Sequence, residues 1–476
     1  MLSRQATLTI SYLSILLISC VSGTHYLFSA YSTSIQERLD FSSVQINTIG
    51  SACNYGVYLG KPFLGYLVDN HSARRVCFAS SALIFFGFSF LALTYERLLP
   101  PSFILCAFYL LCTGVASSGA AVAFLSIIAK NFSSHRGTAI SIPLALLGLS
   151  AFLYSQANIY LFERTFHFLL FIAFSAGLTM FFGSLFLIVV PTPSHVSTAI
   201  ESGSDNSIPV DSDPSRVKGL TTEQTPLLNK NSSTSHIIDE DNEPDIGGWQ
   251  LLHNKDAISL ILILVLLAGT GLMYINNVGT IIETLYHASP AHPSHPYFIP
   301  TSLNSDIKKL QSFHVSLLSI CSCLGRILIG PLSDIAKNSF NLSRICSLVF
   351  AGVWLFCGNL LALFWVHDMN QLWIVTTCIG LGFGILYGVA PTTCSEYFGS
   401  KRFGFNWGLI SCFPALGAQG FNLLFGYNND FHRDHCKGAE CYNFAFYFSS
   451  IGCFISIYIA YRWFTKVQKQ REHIEH

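Results

Sequence analysis

The chain has 476 residues, 51% of them hydrophobic and only 11% charged, with a mean hydropathy of +0.48 and a formal net charge of zero. A soluble globular protein carries about 25% charged residues, so the composition excludes one. The balanced charge gives no sign of a polyanionic partner such as nucleic acid. The class left is an all-α, polytopic membrane protein.

Charge-poor runs of roughly 20 residues, enough to cross a hydrocarbon core of about 30 Å, are predicted at 7–30, 45–68, 76–94, 102–125, 137–158 and 167–190. A second set is predicted at 257–284, 313–335, 343–366, 372–394, 404–426 and 443–465. The expectation is therefore twelve transmembrane helices in two six-helix bundles, 1–190 and 251–476, joined by a linker at 191–250. The first span follows a single cation, Arg4, and has no small-residue cleavage site, so it is expected to be retained. With both termini cytosolic, and Arg344 and Arg462 at span ends counted with the adjoining cytosolic segments, 17 of the 26 Lys and Arg residues fall on the cytosolic side, 7 on the opposite side, and Lys61 and Arg326 well inside spans. The excess of positive charge in cytosolic loops favours this orientation. Trp249, Trp365, Trp373 and Trp463 sit at expected span ends, where interfacial rings prefer to lie. Trp354 and Trp407 fall within spans, where packing between helices is the alternative.

Span one contains His25, its only ionisable group and a candidate proton carrier, beside Tyr26. A hydrogen-bonded structural histidine is the competing reading. Span two contains Asn54 and then Lys61, within Gly60-Lys61-Pro62-Phe63-Leu64-Gly65. An ionisable group in hydrocarbon costs about 2.5–3.5 kcal/mol on insertion scales and is functional by default. The linker is rich in Ser, Thr, Pro, Asp and Glu and poor in aromatics, so it is expected to be a flexible cytosolic segment. Within it, Glu223-Gln224-Thr225-Pro226-Leu227-Leu228 fits an acidic dileucine sorting signal that a cytosolic adaptor would read; chance in a polar tail is the alternative.

Span seven carries Asn276 and Asn277, which line a cavity, interrupt the helix or bond between helices, and near its outer end Glu283, the only acid well inside a predicted span. Glu283 is the second proton-coupling candidate. The outer loop His287, His292 and His295 lies in proline-rich spacing that fixes no coordination geometry, so no metal is expected. Span eight contains Arg326, within Gly325-Arg326-Ile327-Leu328-Ile329-Gly330. The hydrophilic loop before span twelve holds Cys436 and Cys441, a disulfide candidate if that side is oxidising. The N-x-S sequons at Asn70, Asn131, Asn231 and Asn341 all fall on the expected cytosolic side, where they would stay unglycosylated.

The halves repeat. Gly65-Tyr66-Leu67-Val68-Asp69 corresponds to Gly330-Pro331-Leu332-Ser333-Asp334 at an offset of 265, and Phe132 and Arg136 correspond to Phe398 and Arg402 at 266. Lys61 and Arg326 each stand eight residues before the aspartate of their repeat, roughly 12 Å deeper at 1.5 Å per residue, which is near mid-bilayer. Each also stands four residues before the repeat glycine, on the same helix face. Parallel six-helix repeats with the substrate held between them are a transporter plan.

Gly65-x-x-x-Asp69-x-x-x-x-Arg74-Arg75 resembles the loop 2–3 signature of the major facilitator superfamily. Within that superfamily, Asp40 through Ile49, the dileucine segment and Arg326 through Asp334 resemble the fungal monocarboxylate-transporter-homologue group, related to the plant nodulin-like transporters. The resemblance implies a gating contact at Gly65, Asp69 and Arg74, echoed at Gly330 and Asp334, that engages the opposite half and favours the outward-facing state. It also implies a vacuolar membrane location, with the plasma membrane as the alternative, and a substrate carboxylate at Arg326. The chain departs from the monocarboxylate transporters in two places: Ser322 stands where they carry an acid one turn before the arginine, and span one has no lysine. The span-eleven lysine of oxalate-type carriers is missing too.

The reading that results is a secondary carrier of a small, monocarboxylate-like organic anion across an organelle membrane, possible proton coupling being an expectation of the class. Its substrate-binding candidates are Arg326, Lys61, Asn276, Asn277 and Tyr26. The competing readings are a non-transporting receptor with a transporter fold and a carrier of a neutral or cationic solute. With no G-x-x-x-x-G-K-[ST] and no nucleophile–base constellation, neither ATP, another cofactor nor an enzymatic activity is expected.

Overall fold

The structure, a computed structural model, describes residues 3–132, 135–190, 246–288, 301–432 and 442–475. Among them every regular element is helical. Eleven helices among the described residues are long and apolar enough to cross a bilayer. The twelfth expected crossing, span two, is two helices in succession, Ser43–Leu59 and Lys61–Asn70. Pro62 explains the interruption, because it has no N–H to give the carbonyl of Tyr58 and its ring crowds that carbonyl. Gly60 stays in the right-handed helical region at φ −71° and ψ −26°, so the chain loosens there without turning away. The loosened point is where the first internal cation stands.

Span one is Arg4–Ser22 and tightens into a 3₁₀ segment, Gly23–Ala30, that carries His25 and Tyr26. Spans three to six are Ala73–Tyr95, Phe103–Asn131, Arg136–Leu161 and Thr165–Leu185. Spans seven to ten are Lys255–Ala288, Thr301–Phe340, Ile345–Phe364 and Leu372–Phe398. Span eleven is Phe403–Ile410 followed by Pro414–His432, and span twelve is Asn443–Glu475.

Packing repeats with the sequence. Spans two and four, three and six, and one and five pack in the first half, as eight and ten, nine and twelve, and seven and eleven do in the second. The halves meet where span two lies on span eleven and span eight on span five. Small residues make the intrahalf crossings possible: a Cβ on Gly114 would strike the carbonyl of Cys53, and one on its repeat counterpart Gly380 would meet Leu318 and Cys321. In lipid, where apolar burial between helices gains little, such backbone approach supplies the contact. Met1–Val189 and Pro244–His476 together form one compact unit.

Three features differ from the sequence-based expectation. Spans eight and twelve run well beyond their hydropathic cores, to 40 and 33 residues, because hydropathy marks only the part of a helix suited to lipid. The extension of span twelve is held by Lys466 to Asp256 at 2.8 Å, by Gln468 accepting from the Ser343 amide at 3.4 Å and by Arg471 to Glu396 at 3.2 Å. Trp463 is therefore no interfacial anchor: it is 3% exposed and packs on Tyr397 with ring centroids 5.2 Å apart. Finally, the last residues of the expected linker are docked, with Asn406 donating to the carbonyl of Ile246 at 2.7 Å and Leu251 wholly buried. Residues 191–245, including Glu223, Leu227 and Leu228, lie outside the described residues, as do Cys436 and Cys441.

Candidate functional site

Arg326 is 4% exposed. It reaches from span eight across to span five, where Nη1 donates to the carbonyl of Leu144 at 2.8 Å. Gly148, one helical turn on, makes room for it: a Cβ there would collide with Nη1 and lie 3.2 Å from Cζ. This is its only hydrogen bond among the described residues, and its buried Nε has no partner. Tyr26, Tyr387 and Cys323 lie within electrostatic reach of the guanidinium.

Lys61 approaches from span two on the other half. Its ammonium lies over the ring of Tyr58, 5.0 Å from the centroid, in a cation–π contact. Among the described residues it has neither an ion pair nor a hydrogen bond. The ion pairs among those residues lie in loops and at span ends, and neither Lys61 nor Arg326 takes part in one. His25 lies within electrostatic reach of both cations. Its Nδ1 is 2.8 Å from Ser117 Oγ, which in turn donates to the carbonyl of Ser22.

The remaining candidates separate. Tyr26 is 47% exposed and stacks on His25 with centroids 3.9 Å apart. Asn276 is exposed. Asn277 is engaged between helices, donating to Met273 O at 2.8 Å and to Asn422 Oδ1 on span eleven at 2.9 Å, and span seven runs through both asparagines without a break. Glu283 is exposed and forms no ion pair with Arg326. His287 belongs to the last turn of span seven, and His292 and His295 lie outside the described residues.

At the end of the bundle that carries the termini, the two repeat aspartates cap helices of the opposite half. Asp69 accepts from the amides of Gly404 at 3.1 Å and Phe405 at 2.7 Å, at the start of span eleven. Asp334 accepts from the amides of Gly137 at 3.1 Å and Thr138 at 2.8 Å, and from the Thr138 hydroxyl at 2.6 Å, at the start of span five. A carboxylate on unsatisfied helix N–H groups is favoured by both hydrogen bonding and the helix dipole. Gly65 and Gly330 allow this approach: a Cβ would strike the Gly404 carbonyl at the first and the Ser141 hydroxyl at the second. The cation beside Asp69 is Lys130 at 3.7 Å, whereas Arg74 is exposed. Beside Asp334 it is Arg344 at 2.6 Å, which also binds Glu396 at 2.8 Å; Lys337 and Arg471 share that glutamate.

Sequence reasoning passed over Lys130, Arg344 and Glu396, because charges at span ends look like ordinary loop charges. It also passed over His314, 2% exposed and 2.8 Å from Thr376 Oγ1, which Tyr274 contacts at 2.6 Å. Gly148 and Pro143 in span five were the available signals for an unusual contact there. Pro143 leaves the carbonyl of Ala139 without its helical donor, and Tyr12 donates to it at 3.2 Å.

A paired-half bundle with helix caps crossing between the halves and cations within two of its spans has the form of a secondary transporter. The family model described as Major Facilitator Superfamily matches residues 12–421, and the chain belongs to that superfamily; it is a membrane transporter and not an enzyme. Among curated proteins it is similar to "Probable transporter mch1" of Neurospora crassa, 27% identical over 92% of this chain and 86% of the relative. Among solved structures it is similar to the proton:xylose symporter XylE, at a TM-score of 0.62 and 10% identity over 97% of this chain and 96% of that one. It is also similar to FucP in the outward conformation, at a TM-score of 0.56 and 10% identity over 94% and 98%. At 10% identity these two establish the fold alone.

Proposed function

We propose that this transporter carries a small organic anion by alternating access, with Arg326 as its principal substrate contact. The observation that carries the reading is the uncompensated charge of Arg326: a guanidinium 4% exposed within span eight, bonded to one carbonyl, with Nε unpartnered and no carboxylate beside it among the described residues. A buried charge without a counter-charge is costly, and an anionic substrate supplies one. The planar fork of arginine suits a carboxylate. Because Arg326 belongs to one half and its carbonyl partner to the other, substrate arriving at the guanidinium competes with a contact that ties the halves together. Asp69 and Asp334 close the termini end, and breaking their caps is part of the opposite opening.

The test is uptake of labelled small organic anions into proteoliposomes, with and without a pH gradient, by the unmodified protein and by Arg326→Met. Saturable uptake that is lost in the variant while it remains folded is the expected result. Uptake indifferent to the substitution would make Arg326 structural. A dependence on the pH gradient that His25→Gln removes would assign the proton to that histidine. The dileucine segment supports a vacuolar membrane location, and replacing Leu227 and Leu228 with alanine is expected to send the tagged protein to the plasma membrane.

A further inference from the structure

We infer that the substrate is a dianion whose two charges are met by Lys61 from one half and Arg326 from the other; this rests on the anion-carrier reading above. The argument is one of charge balance. Lys61 and Arg326 occupy equivalent positions of the internal repeat, four residues before Gly65 and Gly330. Each therefore stands at the same depth on its own half. His25 lies within electrostatic reach of both charges, Tyr26 and Tyr387 within reach of Arg326, and the Lys61 ammonium stands 5.0 Å over the ring of Tyr58, which is itself within reach of Tyr26 and Tyr387. One polar cluster thus contains both cations.

That cluster has no resident acid among the described residues. Ser322 stands one turn before Arg326, and Glu283 is exposed at the far end of span seven. Tyrosine hydroxyls donate hydrogen bonds but bring no counter-charge. A monoanion on Arg326 would leave the Lys61 ammonium uncompensated in the low-dielectric interior, where an isolated charge is most costly. A small dianion compensates both. It also bridges the halves, because its two contacts belong to different bundles. Dicarboxylates and tetrahedral inorganic dianions share this chemistry.

The experiment is uptake and thermal stabilisation with four probes at pH 7.4, where carboxyl groups of pKa near 4 are ionised: succinate, sulfate, monomethyl succinate and butyrate. In the unmodified protein at least one dianion is expected to be carried with an apparent affinity about tenfold or more above either monoanion, the scale of one charge-assisted contact. Succinate against sulfate distinguishes the two sources of charge. Lys61→Met is expected to lose that preference, and Lys61→Arg, which keeps the charge, to retain it. Lys61→Arg also guards against a folding defect in the methionine variant. Monoanions carried as well as both dianions, with uptake still dependent on Arg326, would overturn the dianion and leave the anion carrier standing. No uptake and no stabilisation by any probe would overturn both.

Discussion

The two aspartate caps share a backbone plan and differ in what surrounds the carboxylate. Asp69 and Asp334 each accept from two consecutive amides at the start of a helix in the opposite half. At Asp69 the counter-charge is Lys130, 25% exposed and 3.7 Å away. At Asp334 it is Arg344, 1% exposed, 2.6 Å away and shared with Glu396. The duplicated fold thus has one cap held mainly by hydrogen bonds and one tied into a buried charge network. The difference teaches that a repeat preserves backbone geometry more faithfully than energetics, because the amides come with the helix and the cation comes from whatever side chain packs nearby.

The largest expected effect follows from breaking that network. Arg344→Met leaves Asp334 and Glu396 without their shared buried partner, and removal of one member of a buried ion cluster costs about 3–5 kcal/mol. A clearly lowered Tm of the purified transporter is the expected readout, against a smaller change for Lys130→Met, because the lysine stands 3.7 Å from Asp69 and that carboxylate keeps its two backbone donors. Equal losses in the two variants would refute the asymmetry.

Asp334→Asn is expected next, at about 1.5–3 kcal/mol for hydrogen bonds to a charged group, and to exceed Asp69→Asn in the same thermal assay. The glycines reverse the order. A Cβ at Gly65 meets three backbone atoms of Gly404 and Phe405 within 3.0 Å, whereas at Gly330 the nearest obstacle is the Ser141 hydroxyl, which can rotate, and the lesser clash left is with the Ser141 Cβ at 2.8 Å and the Gly137 carbonyl at 3.0 Å. Gly65→Ala is therefore predicted to slow transport more than Gly330→Ala, by the roughly 1–3 kcal/mol of an overpacked contact. Uptake rates under identical reconstitution decide it. The smallest effect is expected from Arg471→Ala, because Arg471 is 23% exposed and Glu396 keeps Lys337 and Arg344; a loss matching Arg344→Met would mean that the extension of span twelve carries the network.

Much of the architecture was legible along the chain. Charge-poor runs, the repeat at offsets of 265 and 266 and the signature around Asp69 pointed to the superfamily that the family match establishes. The cations Lys61 and Arg326 stood out because a charge in an apolar run is conspicuous without knowledge of its neighbours. Arg74 stood out as the basic partner of Asp69 in the same way, but nothing local distinguishes it from Lys130, which lies at the end of a different span. The ends of spans eight and twelve were hidden because hydropathy falls where a helix leaves lipid, whether or not the helix ends.

Composition and order of residues decided which segments suit hydrocarbon, through the transfer of each between water and lipid, and also where the repeat lies and that its two internal charges stand at equivalent positions of it. Which atoms those charges meet was decided by tertiary packing. The bond from Arg326 to Leu144 joins residues 182 positions apart, and those from Asp69 to Gly404 and Phe405 join residues 335 and 336 apart. A hydrogen bond requires a donor and an acceptor within about 3 Å of each other, and only the docking of one half on the other sets that distance.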